Sequence, residues 1–179
     1  KLRYLSQMIS QLLLLSRADQ GREKLSMEVL NFSELAQMAA ETAREQAEEK
    51  EITVLAAIQP DIFIFGDETL LIRFWMNLLN NAVSYGRQNG HIWIDLKKEN
   101  GAVWGSVRDD GIGISQEDLP RIWERFFQAD PSRTSQESSG LGLSMVRWIV
   151  KAHRGSIQVQ SRLGEGTEFV FRFPLPDSM

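Results

Sequence analysis

An α+β two-layer sandwich is the fold class this sequence predicts: an antiparallel-rich, mixed sheet with helices on one face, preceded by a bundle-type helix. Three observations point to it. Residues 69–85, TLLIRFWMNLLNNAVSY, repeat apolar side chains at helical spacing, so Leu71, Trp75, Leu78, Leu79 and Ala82 share one side. Residues 91–98 alternate Ile92, Ile94 and Leu96, and Asn100-Gly101 turns the chain back into a strand over 102–108. Residues 156–162 and 167–173 form a second hairpin around Gly164-Glu165-Gly166. Strands and amphipathic helices in this mixture bury a helix stripe against a sheet face.

Taken in order, residues 1–18 form the first helix, with Leu2, Leu5, Ile9 and Leu12 stepping by three and four and Met8 and Leu15 thickening the stripe. Lys1 stands inside the helical pattern without a cap, which reads as a helix continuing from a longer chain. Such an apolar stripe needs cover, either from the following domain or, the favoured reading, from an absent helix or a second copy. Asp19-Gln20-Gly21-Arg22 is a hinge, which sets domain bounds of 1–24 and 25–179. Residues 27–30 are a short strand, and Ser33 caps a helix running to Glu49 with Leu35, Met38, Ala39 and Thr42 inward. Strands follow at 52–58 and 62–65, and Asp67 caps the helix at 69–85. Ser115 caps a further helix over 116–126, with Pro120 in its first turns. Residues 128–139 are a polar loop, and 141–153 a helix that Gly155 closes.

Composition removes several function classes. At 179 residues and 42% hydrophobic, the chain suits one compact domain and a short extra element. A net charge of −4 gives no general affinity for nucleic acid. The absence of cysteine excludes disulfides, thiolate metal sites and thiol catalysis. No apolar run approaches the roughly 20 residues of a membrane span, and no signal peptide is visible.

The chemistry lies in three places. Asn77, Asn80 and Asn81 sit within five positions of one helix, although Asn is a poor interior helix residue. Asn77 and Asn81 are one turn apart, so their side-chain oxygens can converge on one cation or polar ligand; a solvated face is the competing reading. Asp109-Asp110-Gly111-Ile112-Gly113-Ile114 follows a strand, where glycine lets backbone pass close to a ligand, or serves only as a turn. Gly140-Leu141-Gly142-Leu143 opens a helix, whose free N–H groups favour phosphate. Neither glycine motif fits the Walker or the dinucleotide pattern.

In sequence, Asn-x-x-x-Asn, Asp-x-Gly-x-Gly, Trp123-Glu-Arg-Phe126-Phe127, Gly-x-Gly-Leu and Gly164-x-Gly166-Thr167-x-Phe169 resemble the catalytic ATP-binding domain of sensor histidine kinases, in the GHKL superfamily. The resemblance covers nearly the whole chain and implies a Bergerat/GHKL-like mixed sheet, with 1–24 similar to the second helix of a dimerisation domain. It also implies that Asn77 and Asn81, the N-box, act in catalysis by holding Mg²⁺ on the phosphates of ATP. Asp109 matches the acid that accepts from the adenine amino group, Gly111 and Gly113 the turn beneath, and Tyr85 the aromatic closing the N-box. Phe126 and Phe127 match the aromatic box, 128–139 the ATP lid, and Gly140, Leu141, Gly142 and Leu143 its phosphate-side hinge. Thr167 falls in the last glycine motif and is assigned to nucleotide binding. Two positions depart from the pattern: Ser84 stands where the family usually has Lys or Arg, and Gln128 where a base often follows the aromatic box. Arg125 and Arg133 are the candidates to compensate, each weighed against a solvated lid charge.

The kinases transfer the γ-phosphoryl group to a His on the first dimerisation helix. Only His91 and His153 exist here, and neither has an acid after it on a helix. The implied function is therefore the ATP-binding part of a two-component sensor kinase whose acceptor lies outside this chain. Implied partners are ATP or ADP, the phosphoacceptor helix, a response regulator and a second copy in the full-length protein; the implied place is the cytoplasmic portion of a membrane-bound sensor. The alternatives are a nucleotide-binding module without kinase activity, or a GHKL serine kinase or ATPase. The superfamily's ATPases carry Glu at the first N-box position, and the amide of Asn77 cannot act as a general base.

Overall fold

The structure, a computed structural model, describes residues 2–129 and 139–176. The helix β-sheet order begins with α1 (Leu2–Asp19), β1 (Met27–Asn31), α2 (Phe32–Ala47), β2 (Thr53–Ile58), β3 (Phe63–Asp67) and α3 (Glu68–Tyr85). It continues with β4 (His91–Glu99), β5 (Ala102–Asp109), α4 (Gly142–Ala152), β6 (Ser156–Arg162) and β7 (Gly166–Pro174). Five strands make one mixed sheet in the order β2-β4-β5-β7-β6; β2 and β4 run parallel and the other pairs antiparallel. Strands β1 and β3 form a separate antiparallel ribbon, with Val29 opposite Phe65.

The predicted stripe of α3 is the centre of the molecule. Leu71, Trp75, Leu78, Leu79 and Ala82 are all buried. Phe32 at the start of α2, Phe74 and Trp75 on α3, and Phe171 and Phe173 on β7 close into one aromatic cluster, with Phe74 edge-on to Phe171 at 4.9 Å between centroids. Tilted and edge-on pairs of this kind add about 0.5–1.5 kcal/mol each beyond the area they bury. Asp67 caps α3 as expected, accepting from the Leu70 N–H at 3.1 Å. Both residues of the Asn100-Gly101 turn take positive φ, the geometry of a tight hairpin.

Several local readings are corrected. The cap of α2 is Asn31, which accepts from the Glu34 N–H, and not Ser33. Ser33, the second residue of the helix, is buried, and its hydroxyl donates to the Gln59 carbonyl and accepts from the Ile62 N–H. The helix expected over 116–126 is a single 3₁₀ turn, Leu119–Arg121. Proline at 120 supplies no N–H, and the backbone beyond is taken by distant partners: the Ser144 hydroxyl donates to the Trp123 carbonyl, and the Phe126 N–H donates to the Gly140 carbonyl at 2.9 Å. At the end of α4 the left-handed residue is Arg154 (φ +56°), while Gly155 donates to the Val150 carbonyl.

Helix α1 divides along its length. Leu14 and Leu15 are buried and Met8 packs on the core, so the following domain covers this side. The predicted seam of Leu2, Leu5, Ile9 and Leu12 is exposed.

Candidate functional site

Asn77 and Asn81 leave α3 on the side opposite its buried stripe, one turn apart, and open onto a cavity of about 470 Å³. Asn80, Ser84 and Tyr85 continue that wall. Facing them are Phe127, Gly140, Gly142 and Leu143, which bring the start of α4 to the cavity. A Cβ placed on Gly142 would stand 3.7 Å from the Asn77 Oδ1, so the N-terminal end of α4 and the Asn77 amide close together at one side of the cavity. The Asn77 Nδ2 is buried with no hydrogen-bond partner among the described residues. An unpaired buried amide costs about 1–3 kcal/mol, which a ligand oxygen in the cavity would relieve. No charged side chain lines the cavity among the described residues.

The two roots of the loop at 128–139 are tied together. Phe126 takes φ +63° and donates its N–H to Gly140, whose own φ is +71°. Phe126 itself is half-exposed, Leu141 is fully buried, and Arg121 lies over the Phe127 ring at 4.5 Å. Residues 130–138, including Arg133, lie outside the described residues. Arg125 is engaged by α1: its guanidinium meets Asp19 at 2.6 Å.

The turn at 109–113 meets the Tyr85 backbone and adjoins the cavity without lining it. Asp109, at the end of β5, is 5% exposed; its Oδ1 accepts from the Gly111 N–H at 2.9 Å, and the Thr167 N–H donates to its carboxyl as well. Burial pushes its pKa up to about 6 against those two hydrogen bonds, and neighbouring Asp110 adds to the rise. Asp110 goes the other way. Burial raises it, but the N–H and ring of His91 and the Arg87 guanidinium more than offset that and hold it below the usual range. The Ile112 N–H donates to the Tyr85 carbonyl at 3.0 Å, and a Cβ on Gly111 would fall 2.0 Å from that same oxygen. Gly113, at φ +68°, leaves 2.1 Å between an added Cβ and the Arg162 carbonyl. Thr167 is buried across from Asp109, with its hydroxyl 2.8 Å from that of Ser161.

Of the residues assigned from the sequence, Asn77, Asn81, Tyr85, Phe127, Gly140, Gly142 and Leu143 therefore meet in one cavity. Asp109, Gly111, Gly113 and Thr167 form an adjoining buried turn; Leu141 is core and Phe126 a loop root. Sequence reasoning missed the wall contributed by α1, where Tyr4, Gln7, Met8 and Gln11 face the cavity. Gln7 and Gln11, polar and one turn apart beside an apolar seam, are the signal that marks it. The two histidines are both engaged. His153 is buried, its Nδ1–H donating to the Ile149 carbonyl and its Nε2 accepting from the Asp67 N–H, and burial holds its pKa down. His91 sits 2.9 Å from Asp110 through Nδ1 and stacks on Trp93.

A helix bearing paired amides, a buried acid beneath it and a second helix starting at the same cavity define an α+β domain built around one polar ligand cavity. Residues 66–177 match the family described as histidine kinase-, DNA gyrase B-, and HSP90-like ATPase, and the chain belongs to this family. Its similarity is 35% identity over 79% of the chain to the sensor histidine kinase YclK of Bacillus subtilis, covering 30% of that protein. The sensor-like histidine kinase SenX3 of Mycolicibacterium smegmatis is 32% identical over 95% of the chain and 44% of that protein. Among solved structures, full-length ShkA in complex with AMPPNP superposes with a TM-score of 0.78 at 28% identity, over 95% of this chain and 35% of that one. The chain thus spans less than half the length of these relatives. Among the described residues, no helix is long and apolar enough to cross a membrane.

Proposed function

We propose that this chain is the ATP-binding catalytic portion of a two-component sensor histidine kinase, passing the γ-phosphoryl group of ATP to a histidine on a segment outside it. The observation that carries the reading is the unpaired buried Nδ2 of Asn77, a donor that suits a phosphate oxygen and leaves Oδ1 for a cation, set one turn from Asn81 and against the glycine-flanked start of α4. Neutral amides suit Mg²⁺ in this place, because the phosphates bring most of the negative charge. Asn77 and Asn81 are the residues that would hold the ion, which when bound neutralises charge on the transferred phosphoryl group. The N–H groups at the start of α4, at Gly142 and Leu143, favour phosphate oxygens. Asp109 accepts from the adenine amino group, with Gly111 and Gly113 letting backbone come close and Tyr85 lying over the base. AMPPNP bound to the related ShkA supports an adenine nucleotide as the ligand.

Asn77 in place of Glu favours transfer over hydrolysis, since an amide cannot activate water. Residues 1–24, with an exposed apolar seam on α1, are assigned to the dimerisation helix and its hinge, pairing with a second copy in the full-length protein. A response regulator is the onward partner, and the cytoplasmic side of a membrane sensor the location.

The test uses this chain with Mg-ADP, Mg-ATP and a separately supplied helical hairpin carrying an acceptor histidine. Calorimetry is expected to show Mg²⁺-dependent binding of ADP. Labelled ATP is expected to leave acid-labile phosphate on the hairpin alone. Stable phosphate on His91 or His153, or binding indifferent to Mg²⁺, overturns the reading.

A further inference from the structure

The carbonyl groups at the end of a helix have no partner in the helix itself, and α3 carries no basic residue in its last turn to meet them. Its cation comes from elsewhere. Lys50, in the segment between α2 and β2, brings its Nζ to the carbonyl oxygens of Val83 at 2.9 Å, Ser84 at 2.8 Å and Gly86 at 3.3 Å. An ammonium has three donors, and here all three are spent on backbone. The one carbonyl skipped is that of Tyr85, which faces the other way and accepts from the Ile112 N–H. Four consecutive carbonyls are thus divided between two sides: Lys50 takes three, and the turn beneath Asp109 takes the fourth.

We propose that Lys50 is a positioning residue for the nucleotide: it holds the end of α3 so that Tyr85 and the turn at 109–113 keep their spacing. This rests on the nucleotide reading given above. Two features set Lys50 itself in place. Its carbonyl accepts from the Asn89 N–H at 2.9 Å, and the next residue, Glu51, takes φ +52° and receives the Gln88 amide at 3.3 Å. The clearance at the other side is small. The Tyr85 oxygen already lies where a Gly111 Cβ would be, so a shift of α3's end by a few tenths of an ångström changes the floor on which the base would rest. The position also gives a physical account of Ser84. A cation stands at the backbone of residue 84 rather than on its side chain, and with its donors used it serves the helix end and not the phosphates.

Lys50→Met keeps the apolar stem and removes all three donors; Lys50→Arg keeps a charged donor group. Binding of Mg-ADP and of a non-hydrolysable Mg-ATP analogue is measured by calorimetry, beside thermal unfolding, well below the melting temperature. Lys50→Met is expected to weaken both nucleotides by the same factor, on the order of tenfold, the scale on which partners of a binding residue are felt. Lys50→Arg is expected to restore most of that loss. A loss that grows from ADP to the ATP analogue assigns Lys50 to the phosphates and overturns the proposal, as does unchanged affinity in the Met variant. Where the Met variant does not fold, Lys50→Gln, with two donors left, carries the same comparison. Failure of the parent chain to bind either nucleotide sinks the nucleotide reading, and this inference with it.

Discussion

On α3, Asn77 and Asn81 reach the cavity as neutral amides from regular helix, and their cost is confined to helix propensity and one unpaired amide. Across Tyr85, the turn at 109–113 keeps a buried carboxyl in backbone with no room for side chains at Gly111 and Gly113. The first region is inexpensive to build and tolerant of change. The second carries both a burial penalty and a steric one, which the fold sustains only because strands and helix ends clamp it. The difference teaches where a substitution separates binding from stability.

Gly113→Ala tests the steric side and has the largest expected effect. A methyl group at φ +68° and 2.1 Å from the Arg162 carbonyl forces backbone to move, since no flexible side chain can yield. A loss of about 3 kcal/mol in denaturant unfolding is expected. A loss under 0.5 kcal/mol breaks the claim that this turn is sterically closed.

Asp109→Asn tests the burial side, and its sign is opposite. The folded-state pKa of about 6 lies above the ordinary carboxylate value. The native state therefore binds more protons than the unfolded one between about pH 4 and 6, and stability falls as pH rises through that window. At pH 7.5 the cost is fully present; near pH 4 it is gone. Asp109→Asn is expected to stabilise the unliganded protein by about 1–2 kcal/mol at pH 7.5, part of the gain being offset by an unpaired amide, and to destabilise it by about 1 kcal/mol near pH 4, where that gain is nearly gone and the cost of the amide remains. Nucleotide affinity is expected to fall in the same variant, and in the parent chain to weaken about tenfold per pH unit below 6, as the acceptor is protonated. Melting curves and calorimetry across pH read both; a destabilised variant at pH 7.5 refutes the burial argument.

Asn81→Ala is expected to leave unfolding within about 0.5 kcal/mol of the parent chain, because its amide faces the cavity and not the core. Mg-nucleotide affinity is expected to drop about tenfold. Equal affinity removes Asn81 from the site. The smallest effect belongs to Arg125→Ala, which breaks an exposed ion pair with Asp19 and costs about 0.5 kcal/mol. Faster amide exchange in α1 is the sensitive readout, and unchanged exchange shows that Leu14 and Leu15 alone dock the helix.

Much of this was legible in the sequence where the signal was local. The stripe of α3, its Asp67 cap, the Asn100-Gly101 turn and the opposition of Asn77 and Asn81 to the core all follow from spacing along one element. Tertiary structure decided what depends on partners far along the chain. The parallel pairing of β2 with β4 and the separate β1–β3 ribbon leave no periodic trace, and the Gln7 and Gln11 spacing on α1 gives a polar face without saying which cavity it lines. The 116–126 segment shows the reason: its helical pattern yields because Gly140 and Ser144 take backbone groups that a helix would have used. Lys50 reaches the end of α3 from more than thirty positions away, so its role exists only once the chain is folded.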